Sequence, residues 1–259
     1  MNIEMELLHF FFTGSYDFSN IAGLETVIRD NSINYTLISS VILIVLVAVA
    51  GFIKKPNEFV KIVLFILMVG IISFNTVYLA GSTIYKNQRS ITKGPVHWHA
   101  DIDVFNCGQE VNLRDPKGWS NKIGTPTFHE HNDKRLHVEG VVLNQDDVTL
   151  GHFFKVIGGK LDTYGMTVPV NEGDLMLNHG DLCNGAPGLV QVFVYKTEGD
   201  QFWQEKVMNP QDYVLSPYSA VPAGDCIIVE FDSMIKEKTE RICQSYALQK
   251  HLGKLTERR

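Results

Sequence analysis

Two uncharged apolar runs near the N-terminus restrict most strongly what this chain can fold into. They cover residues 35–53 and 62–81, and neither contains Asp, Glu, Lys or Arg. Each is close to the roughly 20 residues that cross a bilayer core as a helix. Neither shows the polar stripe expected of a helix on the surface of a soluble core. The sequence therefore predicts a transmembrane hairpin over residues 35–81.

The charges around this hairpin give only a weak indication of its orientation. The connection "KKPNEFVK" is short, so both ends of the chain are expected on the same side of the membrane. Lys54, Lys55 and Lys61 in this turn favour a cytoplasmic turn, although basic residues outside the two runs nearly balance them. The first run begins too far into the chain, without a basic region before it, for a typical signal peptide.

The number and position of the cysteines indicate the cellular compartment of the chain after the hairpin. All four follow the hairpin: Cys107, Cys183, Cys226 and Cys243. An even number in one soluble region is typical of disulfides in an oxidising compartment, and three pairings are open. The alternative is four reduced, buried thiols in a cytoplasmic domain. The cysteines do not follow CxxC spacing, which disfavours a cysteine zinc site. We expect a multi-pass protein of the cell membrane whose soluble domain lies outside the cytoplasm.

The predicted fold class is α+β. Five parts are expected: an acidic and aromatic segment (1–34), the hairpin (35–81), a linker (82–93), a mainly β domain (94–232) and a basic C-terminal helix (233–259). The segments "HADIDVF", "RLHVEGVVL", "GLVQVFVY" and "DCIIVEF" are rich in β-branched and aromatic residues, which predicts strands. In the C-terminal segment, Ile235, Ile242 and Tyr246 recur near helical spacing.

One helix is expected within the β domain, at "DDVTLGHFFKVIGG". Asp146, Asp147 or Thr149 would cap its N-terminus, and the pair Gly158-Gly159 would end it. The residues expected to face the core are Phe153, Phe154 and Ile157.

The charge distribution narrows the class of partners. Residues 94–232 contain 20 acidic and 9 basic residues, a net charge of −11, which argues against nucleic-acid binding. Residues 233–259 contain seven basic and three acidic residues. That helix is expected to lie solvated on its acidic domain, with contact to anionic lipid as the alternative. No P-loop, GxGxxG or GxSxG motif is present.

Histidines recur at every second position in three short segments. Because side chains alternate across a strand, "HWHADIDV" would place one set of polar side chains on a single face and bury the residues between them. "FHEHND" and "RLHVEGVV" repeat the pattern. The polar set of the first strand is His97, His99, Asp101 and Asp103, and the buried set is Trp98, Ala100, Ile102 and Val104.

This pattern predicts a transition-metal site, copper or zinc, because neutral imidazole is a good ligand for both metals. The alternative is a polar strand face of hydrogen-bonded histidines. The sequence contains no HExxH motif and no blue-copper arrangement. The predicted ligands are His97, His99, His129, His131, His137 and Glu139, with Asp101 and His179 as weaker candidates.

The motifs "HWHA", "FHEH", "LHVEG", "TLGHFFKVIGG" and "GDCIIVEF" occur in this order. In this the chain resembles a poorly characterised group of secreted or membrane-anchored prokaryotic proteins. The resemblance covers residues 95–232. It implies a compact α+β domain on the cell exterior, in which the five histidines and Glu139 occupy the matching positions, and it implies no reaction.

A cupin is the other family considered. "VPVNEGDLMLNHGD" and "VPAGD" are similar to cupin turns, and cupins hold metals with HxH motifs. However, cupins place a glutamate shortly after HxH, whereas this chain has Asp101 and Asp103 there.

Three functions follow from these features. The leading hypothesis is a membrane-anchored domain that binds copper or zinc for capture, delivery or structural support. The alternative is a non-catalytic accessory subunit of a membrane complex, whose Gly70, Ser73 and Gly81 would permit helix packing against a partner. The third is a metal-dependent enzyme of unknown reaction, with Glu139, Asp101 or Glu130 as the acid–base group.

Overall fold

The computed structural model of the protein describes residues 22–119, 121–216 and 221–258, with side chains of the first helix given from Val27 onward. Residues 1–21 of the predicted acidic and aromatic segment lie outside the described residues. The chain divides after Gly94 into two compact units.

The N-terminal unit is a pair of long helices, α1 (Ala22–Phe52) and α2 (Glu58–Arg89). The side chain of Asn57 caps α2 by accepting a hydrogen bond from the Val60 N–H at 2.9 Å. The ring of Tyr35 on α1 packs edge-on against that of Phe74 on α2, at 5.5 Å between centroids. The Asn75 amide donates a hydrogen bond to the Ser39 hydroxyl at 2.5 Å.

Both helices extend beyond the predicted spans. The second helix continues through most of the segment predicted as a linker (82–93) and ends at Ser90, whose N–H donates to the Lys86 carbonyl. By length and composition, Val27–Phe52 and Glu58–Arg89 are each long and apolar enough to cross a membrane.

The second unit is built on a mixed sheet that contains nine strands within the described residues. The long strand β1 (Pro95–Asn106) lies near its centre, parallel to β13 (Cys226–Asp232) and antiparallel to β5 (Arg135–Val141). The other members are β2 (Gln109–Val111), β3 (Ile123–Gly124), β4 (Phe128–Glu130), β11 (Leu189–Glu198), β12 (Gln201–Val207) and β14 (Thr256–Glu257). Apart from β2, which pairs with β1, the order across the sheet is β14-β12-β11-β13-β1-β5-β4-β3.

One face of this sheet packs on the main hydrophobic core. The helix α3 (Leu150–Val156) contributes Phe153 and Phe154, both fully buried, and Ile157 follows in the same core, as predicted. Thr149 caps α3 by accepting from the His152 N–H. The unit also contains a three-stranded sheet, β6 (Lys160–Asp162), β7 (Gly165–Val170) and β8 (Gly173–Asn178), and the pair β9 (Leu182–Cys183) and β10 (Ala186–Pro187).

The predicted C-terminal helix over 233–259 is wrong in its extent. Only α4 (Gln244–His251) is α-helical, with Tyr246 buried. The preceding residues follow an irregular path and make polar contacts to the sheet: the buried carboxylate of Glu230 accepts from Lys236 at 2.5 Å and from Thr239 at 2.6 Å. These tertiary bonds replace the helical ones, because a buried carboxylate without partners would be costly.

Two disulfides stabilise this unit, as the cysteine count predicted. Cys107, just after β1, pairs with Cys183, and Cys226 at the start of β13 pairs with Cys243, immediately before α4. All four cysteines are therefore paired.

Candidate metal centre

The histidine face arises from the alternation of side chains along β1 and β5. On β1, Ala100, Ile102 and Val104 are buried in the main core. On β5, Leu136 and Val138 are buried completely. Because neighbouring residues of a strand point to opposite faces, this burial directs the intervening histidines and Glu139 to the other face of the sheet.

The register of three adjacent strands brings these side chains into rows. His99 of β1 lies opposite His137 of β5, and His129 of β4 lies opposite His137 from the other side. In the next row, His97 lies opposite Glu139. Residues from three separate sequence segments thus meet on one face.

Three of the histidines can hold a metal ion together. One ring nitrogen from each of His97, His99 and His137 lies within 4.8 Å of the other two. Ring centroids are 4.6 Å apart for His97 and His99, and 4.8 Å for His99 and His137. Nitrogens bound to a tetrahedral ion at about 2.0–2.1 Å are separated by roughly 3.4 Å, so small side-chain rotations would bring this triad to bonding distance.

Asp133 fixes the orientation of His137. The carboxylate lies 3.1 Å from Nε2 of His137, and an ionised carboxylate can only accept a hydrogen bond. Nε2 therefore carries the proton, and Nδ1 keeps its lone pair. Nδ1 is buried and has no hydrogen-bond partner among the described residues. Histidines that bind metals usually donate the N–H of their other ring nitrogen to a carboxylate, as His137 does here.

His129 and His131 are held in the same way by backbone carbonyls. Nδ1 of His129 lies 3.1 Å from the carbonyl of Thr125, and Nδ1 of His131 contacts the carbonyl of Asn121. A carbonyl can only accept, so both rings carry their proton on Nδ1 and leave Nε2 as a potential metal ligand. Nε2 of His129 is buried, with no hydrogen-bond partner in the described part of the chain.

Glu139 lies between the two groups of rings. Its Oε1 is 3.3 Å from Nε2 of His97, and its Oε2 is 3.7 Å from Nε2 of His129. The rings of His131 and His137 are 4.8 Å apart, and those of His129 and His137 are stacked at 5.6 Å. All five predicted histidines and Glu139 therefore form one connected cluster, which we call the histidine face.

Burial favours the neutral imidazoles that bind metals. Desolvation lowers the pKa of His99, and the neighbouring His137 and His97 rings lower it further. Desolvation also lowers the pKa of His129, and the positive charge of Lys122 adds to this effect. Both rings therefore remain unprotonated to a lower pH than an exposed histidine.

The weaker candidates are placed elsewhere or are engaged. Asp101 binds Arg135 at 2.9 Å and accepts from the Ser245 hydroxyl, so its carboxylate is occupied. His179 follows β8, where its N–H donates to the Tyr164 carbonyl and its ring faces the Tyr164 ring. Its contacts are thus with the three-stranded sheet and not with the histidine face.

Glu130, the third residue considered for acid–base chemistry, is buried. It accepts from the Asn132 N–H, and desolvation raises its pKa. As the neighbour of His129 on β4, it belongs to the opposite face of the sheet. This position separates it from the histidine face.

The residues that orient the rings were not predicted from the sequence. Asp133 precedes His137 by four residues across a turn, and this spacing is visible in "NDKRLH". It could have been found as an acidic residue near a candidate ligand. The carbonyls of Thr125 and Asn121 carry no such signal, because every residue has a carbonyl.

Comparisons with known proteins do not assign the chain to a family. No protein-family model matches it, and no curated protein and no solved structure shows significant similarity to it. Its class is therefore defined by its own features: two helices that by length and composition could cross a membrane, and a disulfide-linked α+β domain with a histidine face.

Proposed function

We propose that this protein is a membrane-anchored metal-binding protein that takes up copper or zinc outside the cytoplasm through His97, His99 and His137. The observation that carries this proposal is the convergence of three ring nitrogens within 4.8 Å, one of which belongs to a ring already oriented by Asp133.

The chemistry of the donors fits the metal. A buried ring nitrogen without a hydrogen bond costs free energy in a folded protein, and a bound ion would offset that cost. Nδ1 of His137 is such an atom. Three neutral imidazoles suit Zn²⁺ and copper better than the harder ions Mg²⁺ or Ca²⁺, which prefer oxygen ligands.

The exposure of the triad suits capture and delivery. His137 is buried, His99 is half-buried, and the side chain of His97 is 63% exposed. An ion at this position would be open to solvent on the His97 side, so it could enter and leave without unfolding of the domain. A purely structural zinc site is normally closed by four protein ligands.

Anchoring and compartment rest on two further observations. The helices α1 and α2 expose large apolar side chains over most of their length, among them Leu37, Ile44, Phe65 and Val77. Such surfaces are unfavourable in water and favourable in a bilayer. The two disulfides support an oxidising compartment for the second unit.

The test is the metal content of the full-length protein in detergent, measured by mass spectrometry after loading with Zn²⁺ or Cu²⁺ and removal of free ions. We expect at least one ion per chain in the wild type and the loss of one ion in the variant His97→Gln/His99→Gln. Both residues lie on the exposed side of the triad, so the variant is expected to fold.

The matched control is His179→Gln, which removes a histidine whose contacts lie outside the histidine face. It should leave the metal content unchanged. A folded wild-type protein that retains no ion after loading would contradict the proposal. It would favour the accessory-subunit alternative, in which the histidines form only a polar strand face.

A further inference from the structure

The histidine face offers more ligand atoms than one ion requires. After His97, His99 and His137 are assigned to the triad, three potential ligands remain in contact with it: His129, His131 and Glu139. His129 is completely buried, yet its Nε2 has no hydrogen-bond partner in the described residues. The ion of the triad does not account for this atom.

We propose that the histidine face binds two transition-metal ions, with the second ion held by His129 and His131 and with Glu139 bridging the pair. The inference rests on the proposed function of the triad, because a bridged pair requires that the first ion binds.

The position of Glu139 carries the bridging role. One of its oxygens faces Nε2 of His97 and the other faces Nε2 of His129, at 3.3 and 3.7 Å. A carboxylate placed in this way can give one oxygen to each of two ions. In two-metal sites the ions are about 3.5–4 Å apart, which is a distance that one carboxylate can span.

The fixed orientation of His129 and His131 supports the second position. Their Nδ1 atoms are bound to the carbonyls of Thr125 and Asn121, which leaves both Nε2 atoms as the potential ligands. Their ring centroids are 4.9 Å apart, and Oε2 of Glu139 lies 3.7 Å from Nε2 of His129. Among the described residues only the triad already has three ligand atoms within 4.8 Å of one another, so the second position requires larger side-chain rotations than the first. Each ion would therefore receive an HxH pair from one strand segment, and Glu139 would lie between them.

The two proposed ion positions differ in their exposure to solvent. The triad ion would lie beside the exposed His97, whereas the second would bind to the fully buried His129. The first position is therefore suited to exchange with solvent or a partner, and the second to retention. Neither role requires a redox change of the metal.

The test counts ions in the full-length protein after loading with Zn²⁺. The expected contents are two ions per chain in the wild type, one in His131→Gln and one in His97→Gln/His99→Gln. His131→Gln is used because His131 is half-buried, whereas His129 is fully buried. Circular dichroism checks folding, and the double variant His179→Gln/His251→Gln should keep both ions.

Loading with Cu²⁺ tests whether the ions share Glu139. Two Cu²⁺ ions at bridging distance interact magnetically, so the electron paramagnetic resonance signal per bound copper should be weaker and broader than that of an isolated ion. His131→Gln should restore the narrow signal of a single copper.

The outcomes separate the two proposals. One ion per chain in the wild type, lost in His97→Gln/His99→Gln, would retain the triad and overturn the second position. Two ions with the full signal of isolated copper would overturn the bridge. No bound ion in the folded wild type would overturn both.

Discussion

The carboxylate of Asp133 lies 3.1 Å from Nε2 of His137, four residues further along the chain. This contact determines which nitrogen of His137 carries the proton. Since His137 has His99 on one side and His129 on the other, its orientation affects the whole histidine face.

Asp133→Asn should weaken metal binding without unfolding the domain. Oδ1 of Asp133 accepts from the Arg135 N–H, and asparagine can keep that bond. Its amide then faces Nε2 of His137 as a donor, which moves the ring proton to Nδ1 and blocks the ligand. We expect a 10- to 100-fold loss of zinc affinity, as for other outer-shell partners of metal histidines, measured by competition with a chelator.

Asp174→Asn, which alters a surface ion pair with Arg114, is the control. Equal affinities of the two variants would refute the orienting role of Asp133.

The lowered pKa of His129 predicts a pH dependence of stability in the metal-free protein. Between this lowered pKa and about 6.5, the unfolded chain binds more protons than the folded one. The stabilisation that neutral His129 contributes is therefore fully present above about pH 6.5. It is lost as the pH falls through the folded-state pKa. His129→Gln removes this proton uptake, so its melting temperature should fall less than that of the wild type between about pH 7.5 and about pH 5.5. Parallel pH profiles for the two proteins would show that His129 is not the responsible group.

Much of the strand pattern could be predicted from sequence, because burial follows a period of two. The alternation in "HWHADIDV" correctly places Ala100, Ile102 and Val104 in the core. The apolar positions of α3 likewise identified Phe153 and Phe154. In both cases the hydrophobic pattern involves only residues that are close in the sequence, so the sequence alone is sufficient to identify the buried positions.

Long-range features could not be predicted in the same way. The register that places His129 beside His137 depends on strand pairing between distant segments, and so does the choice among three disulfide pairings. The non-helical path before α4 depends on the buried carboxylate of Glu230, whose partners Lys236 and Thr239 follow it in the chain. Helical spacing in that segment was therefore overridden by tertiary bonds.

Gly224→Ala should disturb the metal-binding triad, although Gly224 is not one of its ligands. Gly224 has φ +80°, and a Cβ there would overlap the backbone carbonyl of His99 on β1. The substitution must displace β1 or the turn that packs against it at the site, so we expect loss of stability by more than the about 1–2 kcal/mol of the left-handed backbone alone, together with weaker zinc binding. Gly180→Ala is the control, because Gly180 has φ +96° and a Cβ added there would meet no atom within 4 Å. If both variants melt at the same temperature and bind zinc equally, the close approach of Gly224 to His99 is unimportant.

The two disulfides should contribute unequally to stability. Cys107 and Cys183 are 76 residues apart, and Cys226 and Cys243 are 17 apart. In the chain-entropy account, loops of these lengths correspond to about 4.5 and about 3 kcal/mol. Cys107→Ala/Cys183→Ala should therefore lower the melting temperature more than Cys226→Ala/Cys243→Ala.

Mass spectrometry should find no alkylated cysteine in the wild type before reduction and four afterwards. Alkylation without reduction would contradict the disulfides.

The most direct test of the central claim is X-ray absorption at the zinc edge on the full-length, zinc-loaded protein. We predict a nitrogen shell at about 2.0–2.1 Å with the outer-shell scattering of imidazole rings. This imidazole contribution should decrease in His97→Gln/His99→Gln and remain unchanged in His179→Gln. A sulfur shell at about 2.3 Å, or oxygen ligands without imidazole scattering, would show that zinc is held elsewhere and that the histidine face is not a metal centre.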